Sequence, residues 1–175
     1  MARRQNEAIM ERQLSRQPDP KALQDVIDKI EIGEMQSRYM FAIDWYDPVV
    51  YGDVFTPDAT LEWPEGRAEG QEAIRNAVVR VGQYFGRLAE ASKPNKPAHL
   101  RHFIGNRVIK IDGDTARAVA YWFDLNNDNQ PRWPYVAAYG YYEDDLIRTP
   151  EGWRFTRRKI INEMTGESPP ENPAW

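Results

Sequence analysis

Apolar residues recur at steps of three and four between Lys21 and Asp44, at Leu23, Ile27, Ile30, Met35, Tyr39 and Ile43. That period predicts an amphipathic helix. Asp47-Pro48 comes next and predicts a short second helix through Phe55, with Asp47 as N-cap and Pro48 at the first helical position. Thr56-Pro57-Asp58 predicts a turn, Ala59 to Trp63 a strand, and Pro64-Glu65-Gly66 a reversal into Arg67-Ala68-Glu69. A longer helix is predicted from Gly70, its buried stripe marked by Ile74, Val78, Val81 and Phe85, with Lys93–Pro97 ending it.

From Ala98 onward the pattern becomes extended. His99–Ile111, Thr115–Leu125, Trp133–Ile147 and Trp153–Ile161 predict four long antiparallel strands. They are separated by Asp112-Gly113-Asp114, the polar loop Asn126–Asn129, and Pro150-Glu151-Gly152. The expected fold class is therefore α+β, with helices against one face of a curved antiparallel sheet. Three parts are expected: a polar N-terminal extension at 1–22, one domain at 23–165, and a Pro-rich tail at 166–175. Both ends read as disordered or as lying across a neighbouring subunit, and Trp175 is a candidate for docking.

Composition narrows the function. A chain of 175 residues suffices for one sizeable core. A net charge of −4 gives no electrostatic footprint for nucleic acid. The absence of cysteine excludes disulfides, a thiolate nucleophile and cysteine zinc sites. No apolar run approaches the roughly 20 residues of a membrane span. A soluble cytoplasmic protein is expected.

Several phrases, in order, resemble the SnoaL-like branch of the NTF2-like superfamily. They are Arg38–Asp44 (RYMFAID), Phe55–Ala59 (FTPDA), Gly70–Ile74 (GQEAI), His102–Gly113 (HFIGNRVIKIDG) with Asp114-Thr115-Ala116, and Gly152–Phe155 (GWRF). Together they span residues 27 to 163. The resemblance implies a cone in which a strongly curved sheet wraps around helices. It also covers isomerases, dehydratases, hydrolases, cyclases and non-catalytic proteins, so the fold does not settle the function.

By residue type alone, Asp44 reads equally as a helix end and His102 as a core histidine. Similarity to hexachlorocyclohexane dehydrochlorinase, scytalone dehydratase and bile-acid 7α-dehydratase implies instead that the two form a catalytic pair. Asp44 would then accept the Nδ1 proton of His102 and leave Nε2 free as a base. His99 lies three positions from His102, so on a strand the two point to opposite faces and cannot chelate a metal together. No metal and no cofactor are expected, since no Gly-rich phosphate loop occurs either.

Tyr39, Trp45, Tyr46 and Tyr51 cluster in sequence around Asp44 and are candidates for substrate binding. Tyr121, Phe123, Tyr139 and Tyr141 are the strand candidates, against the alternative of ordinary sheet packing. Asn106 is expected to tie strands together, and Arg157-Arg158-Lys159 to be solvated or ion-paired. The expectation is a cofactor-independent lyase for a small hydrophobic, aromatic substrate. The bond broken is C–O, or C–C as in formaldehyde release from lignin-derived diaryl compounds. The alternatives are an isomerase or polyketide-type cyclase, and a non-catalytic binding or assembly module. Ile109, Ile111, Trp122, Val136 and Ile160 are expected to overfill one sheet face, which predicts a homodimer or homotrimer.

Overall fold

The computed structural model describes residues 19–91, 97–165 and 171–174. The N-terminal extension to residue 18, residues 93–96 of the helix-ending segment, and Trp175 lie outside the described residues.

The first helix, α1, runs Pro20–Asp44, opened by the Asp19 carboxylate accepting from the Lys21 N–H. It stops where Tyr46 enters the left-handed region at φ 56°. The Tyr46 and Asp47 N–H groups then bond back to the Ile43 and Ala42 carbonyls, closing a Schellman motif. Asp47 caps the next helix, α2 (Pro48–Asp53), accepting from the Val49 and Val50 N–H groups at 3.0 Å. The hairpin β1 (Phe55–Trp63) and β2 (Gly66–Glu69) leads into α3 (Gln71–Ala91). Four long strands follow: β3 (Leu100–Asp112), β4 (Thr115–Asn126), β5 (Tyr135–Thr149) and β6 (Gly152–Asn162).

Two element predictions shift. Thr56-Pro57-Asp58 lies inside β1 instead of forming a turn, because the segment pairs across an irregular register with β6. The fifth strand of the chain starts at Tyr135, two residues after the expected Trp133.

One six-stranded sheet has the order β2-β1-β6-β5-β4-β3. Every seam is antiparallel except that between β1 and β6. Alternation sorts the residues into two faces. On β4, Ala116, Ala118, Ala120, Trp122 and Asp124 are buried, while Arg117, Tyr121 and Phe123 are exposed. The inner face meets the helices in a core that includes Ile32, Met35, Tyr39, Tyr142, Phe155 and Trp153.

The helical stripe read from α1 is half right. Met35 and Tyr39 are buried, but Leu23, Ile27 and Ile30 are 49%, 40% and 62% exposed. The face turned inward instead carries Asp28, Ile32, Met35, Gln36 and Tyr39. Partners make this polar face tolerable. Both Asp28 oxygens accept from Arg148, at 2.7 and 2.6 Å, and Gln36 donates to Asp144 at 2.9 Å. The argument from overfilling also fails as framed: Ile109, Ile111, Trp122 and Ile160 all pack into the core, and only Val136 points outward.

Candidate active site

Asp44 is the last residue of α1, and the helix end rests against the edge strand β3. A carboxylate at a helix C-terminus faces the negative end of the dipole and needs compensation. His102 supplies it twice. Its backbone N–H donates to both Asp44 oxygens, at 3.1 and 2.9 Å, and its Nδ1 lies 2.7 Å from Oδ1. Because β3 is the outer strand, the His102 N–H has no neighbouring strand to bond, and Asp44 fills that place. In a neutral imidazole with this carboxylate as acceptor, the proton belongs on Nδ1 and the lone pair on Nε2. No described residue hydrogen-bonds Nε2.

The site contains a residue that the sequence reading did not single out. Asp124 stands directly opposite His102 in the β3–β4 register and faces the same side. It is 7% exposed, and its Oδ1 has no hydrogen-bond partner. Burial pushes its carboxyl above the ordinary aspartate value, with the neighbouring His102 acting in the opposite direction. Two carboxyl groups thus flank one imidazole in unlike surroundings. The signal was available: in β4 (TARAVAYWFDLN) Asp124 is a carboxylate in an otherwise small or apolar inward-facing row.

Trp122 is the next inward residue on β4, its ring centroid 6.4 Å from that of His102. It stacks on Tyr142 at 5.7 Å. Its indole N–H reaches the Ile161 carbonyl at 3.2 Å across Gly140, where any Cβ would collide with that same carbonyl. The indole is therefore fixed beside His102.

An apolar pocket of about 460 Å³ opens on the same side of the sheet. Its walls are Ile43 of α1, Leu61 and Trp63 of β1, Ile160 of β6, and one side of α3 from Ala77 to Phe85. Asp44 and His102 do not line it. They adjoin it through Ile43, the residue before Asp44, and through Phe85, on which Tyr46 stacks at 5.9 Å. A second cavity, of about 310 Å³, lies at the outer face beside Pro173 and Ala174. Most of its charges are paired: Arg117 to Asp145, Arg157 to Asp145 and Glu62, and Asp144 to Arg158.

The eight aromatic candidates separate. Tyr46 lies beside the dyad, and its buried hydroxyl has no partner. Tyr51 reaches the pocket wall, but its hydroxyl is spent on Tyr39 at 2.8 Å, and Tyr39 is sealed in the core. Trp45 turns to solvent, stacked on Phe41 and covered by the Arg101 guanidinium at 4.1 Å. Tyr121, Phe123, Tyr139 and Tyr141 stand on the outer face, opposite to His102. They correct the expectation of a strand-borne aromatic pocket. Their i, i+2 spacing placed them correctly on common faces, but alternation alone does not say which face is inside.

Other sequence candidates take structural roles. Asn106 adopts φ 50° at the bulge between Gly105 and Val108. The His99 N–H donates to Asn127 ahead of β3. Arg158 points inward and is fully buried against Asp144, whereas Arg157 pairs with Glu62. Among the described residues no group of three His, Asp or Glu could hold a metal ion, and no helix is long and apolar enough to cross a membrane.

Comparison with known proteins places this geometry in a lineage. The SnoaL-like domain family matches residues 24–159. An uncharacterised protein of Mycobacterium tuberculosis, Rv2910c, is 31% identical over 134 residues, covering 77% of this chain and 84% of its own. The chain therefore belongs to the SnoaL-like family. Among solved structures, Rv3472 of M. tuberculosis, of unknown function, superposes with a TM-score of 0.69 at 21% identity, over 83% of this chain and 76% of its own. An NTF2-like protein with a cystatin-like fold from Novosphingobium aromaticivorans gives 0.66 at 24%, over 81% and 88%. A candidate scytalone dehydratase from the same organism gives 0.66 at 19%, over 80% and 87%. These likenesses show the fold.

Proposed function

We propose that this SnoaL-like protein is a cofactor-independent lyase in which His102, oriented by Asp44, removes a proton from a small hydrophobic, aromatic substrate. The observation that carries this reading is the doubly bonded Asp44–His102 pair, set beside an apolar pocket with Nε2 left unused. A binding module has no need of an imidazole held in one tautomer.

Nε2 takes a proton from an activated carbon or a hydroxyl, and Asp44 stabilises the imidazolium that results. Asp124, whose carboxyl is raised above the ordinary aspartate value by burial, is placed to give a proton to the departing group. In a dehydration the C–O bond breaks and hydroxide leaves as water. In a C–C cleavage the deprotonated hydroxyl becomes the carbonyl of released formaldehyde, and the carbanion takes the proton of Asp124. In either case the proton gained by His102 returns to Asp124 through solvent. Tyr46 donates a hydrogen bond to a substrate oxygen. Trp122, stacked on Tyr142, holds the wall behind His102.

The test is turnover of a panel of hydroxylated aryl and diaryl compounds, followed by mass spectrometry for loss of water or formaldehyde. Activity is expected to survive EDTA and dialysis. Reversible loss with EDTA, or normal turnover by His102→Ala, would falsify the acid–base reading.

The protein acts as a homodimer or homotrimer in the cytoplasm, a compartment that a cysteine-free chain suits. The outer face supports this assembly. Phe103 and Phe123 stack at 4.8 Å beside exposed Tyr121, Tyr139 and Val136, an apolar surface of the kind that associates. Light scattering at micromolar concentration checks it, and a monomer refutes it.

A further inference from the structure

The pocket between α3, β1 and β6 carries one charge that no described residue uses. Two of its polar groups are committed: the Tyr51 hydroxyl bonds Tyr39, and the Tyr84 hydroxyl bonds Asp128 at 3.0 Å. Among the described residues Arg80 is the only charged one on the lining. Its guanidinium makes no hydrogen bond or ion pair with any described residue. The helix offers it no acid, because the positions three and four away are Ala77, Gln83, Asn76 and Tyr84. Arg75 on the same helix does find a carboxylate, Asp53, at 2.7 Å. Around the dyad the charges already face one another: Asp44 holds His102, and Arg101 donates to the Asp44 carbonyl at 3.1 Å.

We infer that the pocket takes an aromatic acid, its flat apolar body between Trp63 and Phe85 and its carboxylate on Arg80. An anionic group is drawn to Arg80, so one end of the ligand is anchored on α3 and the uncharged end is left to extend toward Ile43 and the dyad beside it. A guanidinium at a partly exposed rim also suits a planar carboxylate, which it binds through two parallel N–H groups. This inference rests on the reading that the pocket serves the proposed lyase, and it names the substrate class.

Calorimetric titration of the full chain with 2-naphthoate and its neutral counterpart 2-naphthamide tests it. The wild-type protein is expected to prefer the acid about tenfold, the worth of one partly exposed charge-assisted contact. The preference shrinks as salt rises from about 50 to about 500 mM. Arg80→Gln is expected to abolish the preference and leave naphthamide affinity unchanged. Ala77→Trp, which fills the pocket from α3, is expected to abolish binding of both probes, with circular dichroism reporting that the fold is intact. Equal affinities in the wild type overturn the inference, as does a preference that survives Arg80→Gln, or binding that survives Ala77→Trp. The two readings fail separately. Arg80-dependent binding of the acid with no dyad-dependent turnover sinks the lyase and keeps the acid pocket. Dyad-dependent turnover of neutral compounds that naphthoate does not inhibit does the reverse.

Discussion

Two clusters of buried charge lie on the inner face of the sheet, and they are built to opposite specifications. At Asp144 and Arg158 the carboxylate is fully engaged, and of the guanidinium nitrogens only Nη1 lacks a hydrogen-bond partner, packed instead among aromatic rings. Arg158 donates to both Asp144 oxygens, at 2.7 and 2.6 Å, and Gln36 donates a third bond. The guanidinium lies against the rings of Tyr39, Tyr142 and Phe155 at 4.1 to 4.3 Å. Burial alone would pull Arg158 down, but the Asp144 carboxylate more than offsets it and keeps the side chain charged. At Asp44, His102 and Asp124 two valences stay open, Nε2 of His102 and Oδ1 of Asp124. A closed ionic cluster fixes the packing of helix on sheet. An open one, whose unsatisfied groups cost stability, is the kind of place where binding or catalysis is found.

The largest effect that sharpens this contrast is on stability. Asp144→Ala leaves a fully buried cation without its counter-ion, and removing one partner of such a pair costs about 3–5 kcal/mol. Urea unfolding should show that loss, with Asp124→Ala costing far less because one of its two carboxyl oxygens has no partner to lose. Equal losses at the two positions would erase the distinction. The second effect is on rate. His102→Ala should lose about 10²–10⁴ in kcat, the usual worth of a positioned base, with KM and thermal stability little changed. Asp44→Asn should also lose rate, because an amide no longer selects the tautomer. Its folding measured alongside separates this from collapse of the β3 edge.

The third effect has opposite signs in the two halves of the sheet. The Arg148 hydrogen bonds hold the Asp28 carboxyl below the ordinary aspartate value. Its contribution to stability is therefore complete above the unfolded-state value and is lost as pH falls through the lower folded value. Asp124 is raised, first of all by burial. Its contribution is complete below the unfolded-state value and is lost as pH rises through the higher folded one. Unfolding free energies across the acid range should thus decline less steeply at low pH in Asp28→Asn, with the lowered Glu62 still contributing its share. In Asp124→Asn the loss on the rising side should disappear. An Asp124→Asn profile parallel to wild type would mean that its carboxyl is ordinary.

What the sequence revealed follows the same division. The order of elements, the Asp47-Pro48 helix start and the 58-residue link between Asp44 and His102 were all legible, because caps, turns and family phrases are local in the chain. Asp124 was not, since its meaning comes from the residue opposite it in register. The buried face of α1 was misread for a related reason. Asp28 and Gln36 look like surface residues until Arg148 and Asp144, more than a hundred positions away, supply their partners. Tyr121 and Phe123 were misplaced because the sequence shows alternation but leaves open which face the helices cover.

The smallest expected effect on stability is also the most discriminating, and it concerns Tyr46. Its φ of 56° is a conformation in which glycine or asparagine is at ease and a large side chain is strained. Its ring rests on Gly82 in the middle of α3, where a Cβ would stand 2.9 Å from its own Cβ. Glycine inside a helix itself costs about 0.5–1 kcal/mol relative to alanine. The hydroxyl carried at the end of this arrangement is buried, without a partner, and pushed above the usual tyrosine value by that burial. If the ring were needed only to pack on Phe85, phenylalanine would serve better. Tyr46→Phe should therefore melt at the same temperature or slightly higher, since an unsatisfied buried hydroxyl is worth less than nothing to the fold. It should at the same time bind oxygen-bearing ligands more weakly and turn them over more slowly, by about five- to tenfold, the value of one neutral hydrogen bond made only to the ligand. Gly82→Ala, which displaces the ring, should reproduce the functional loss in spite of its better helix propensity. A Tyr46→Phe protein that is clearly less stable, or equally active, would return this residue to the core.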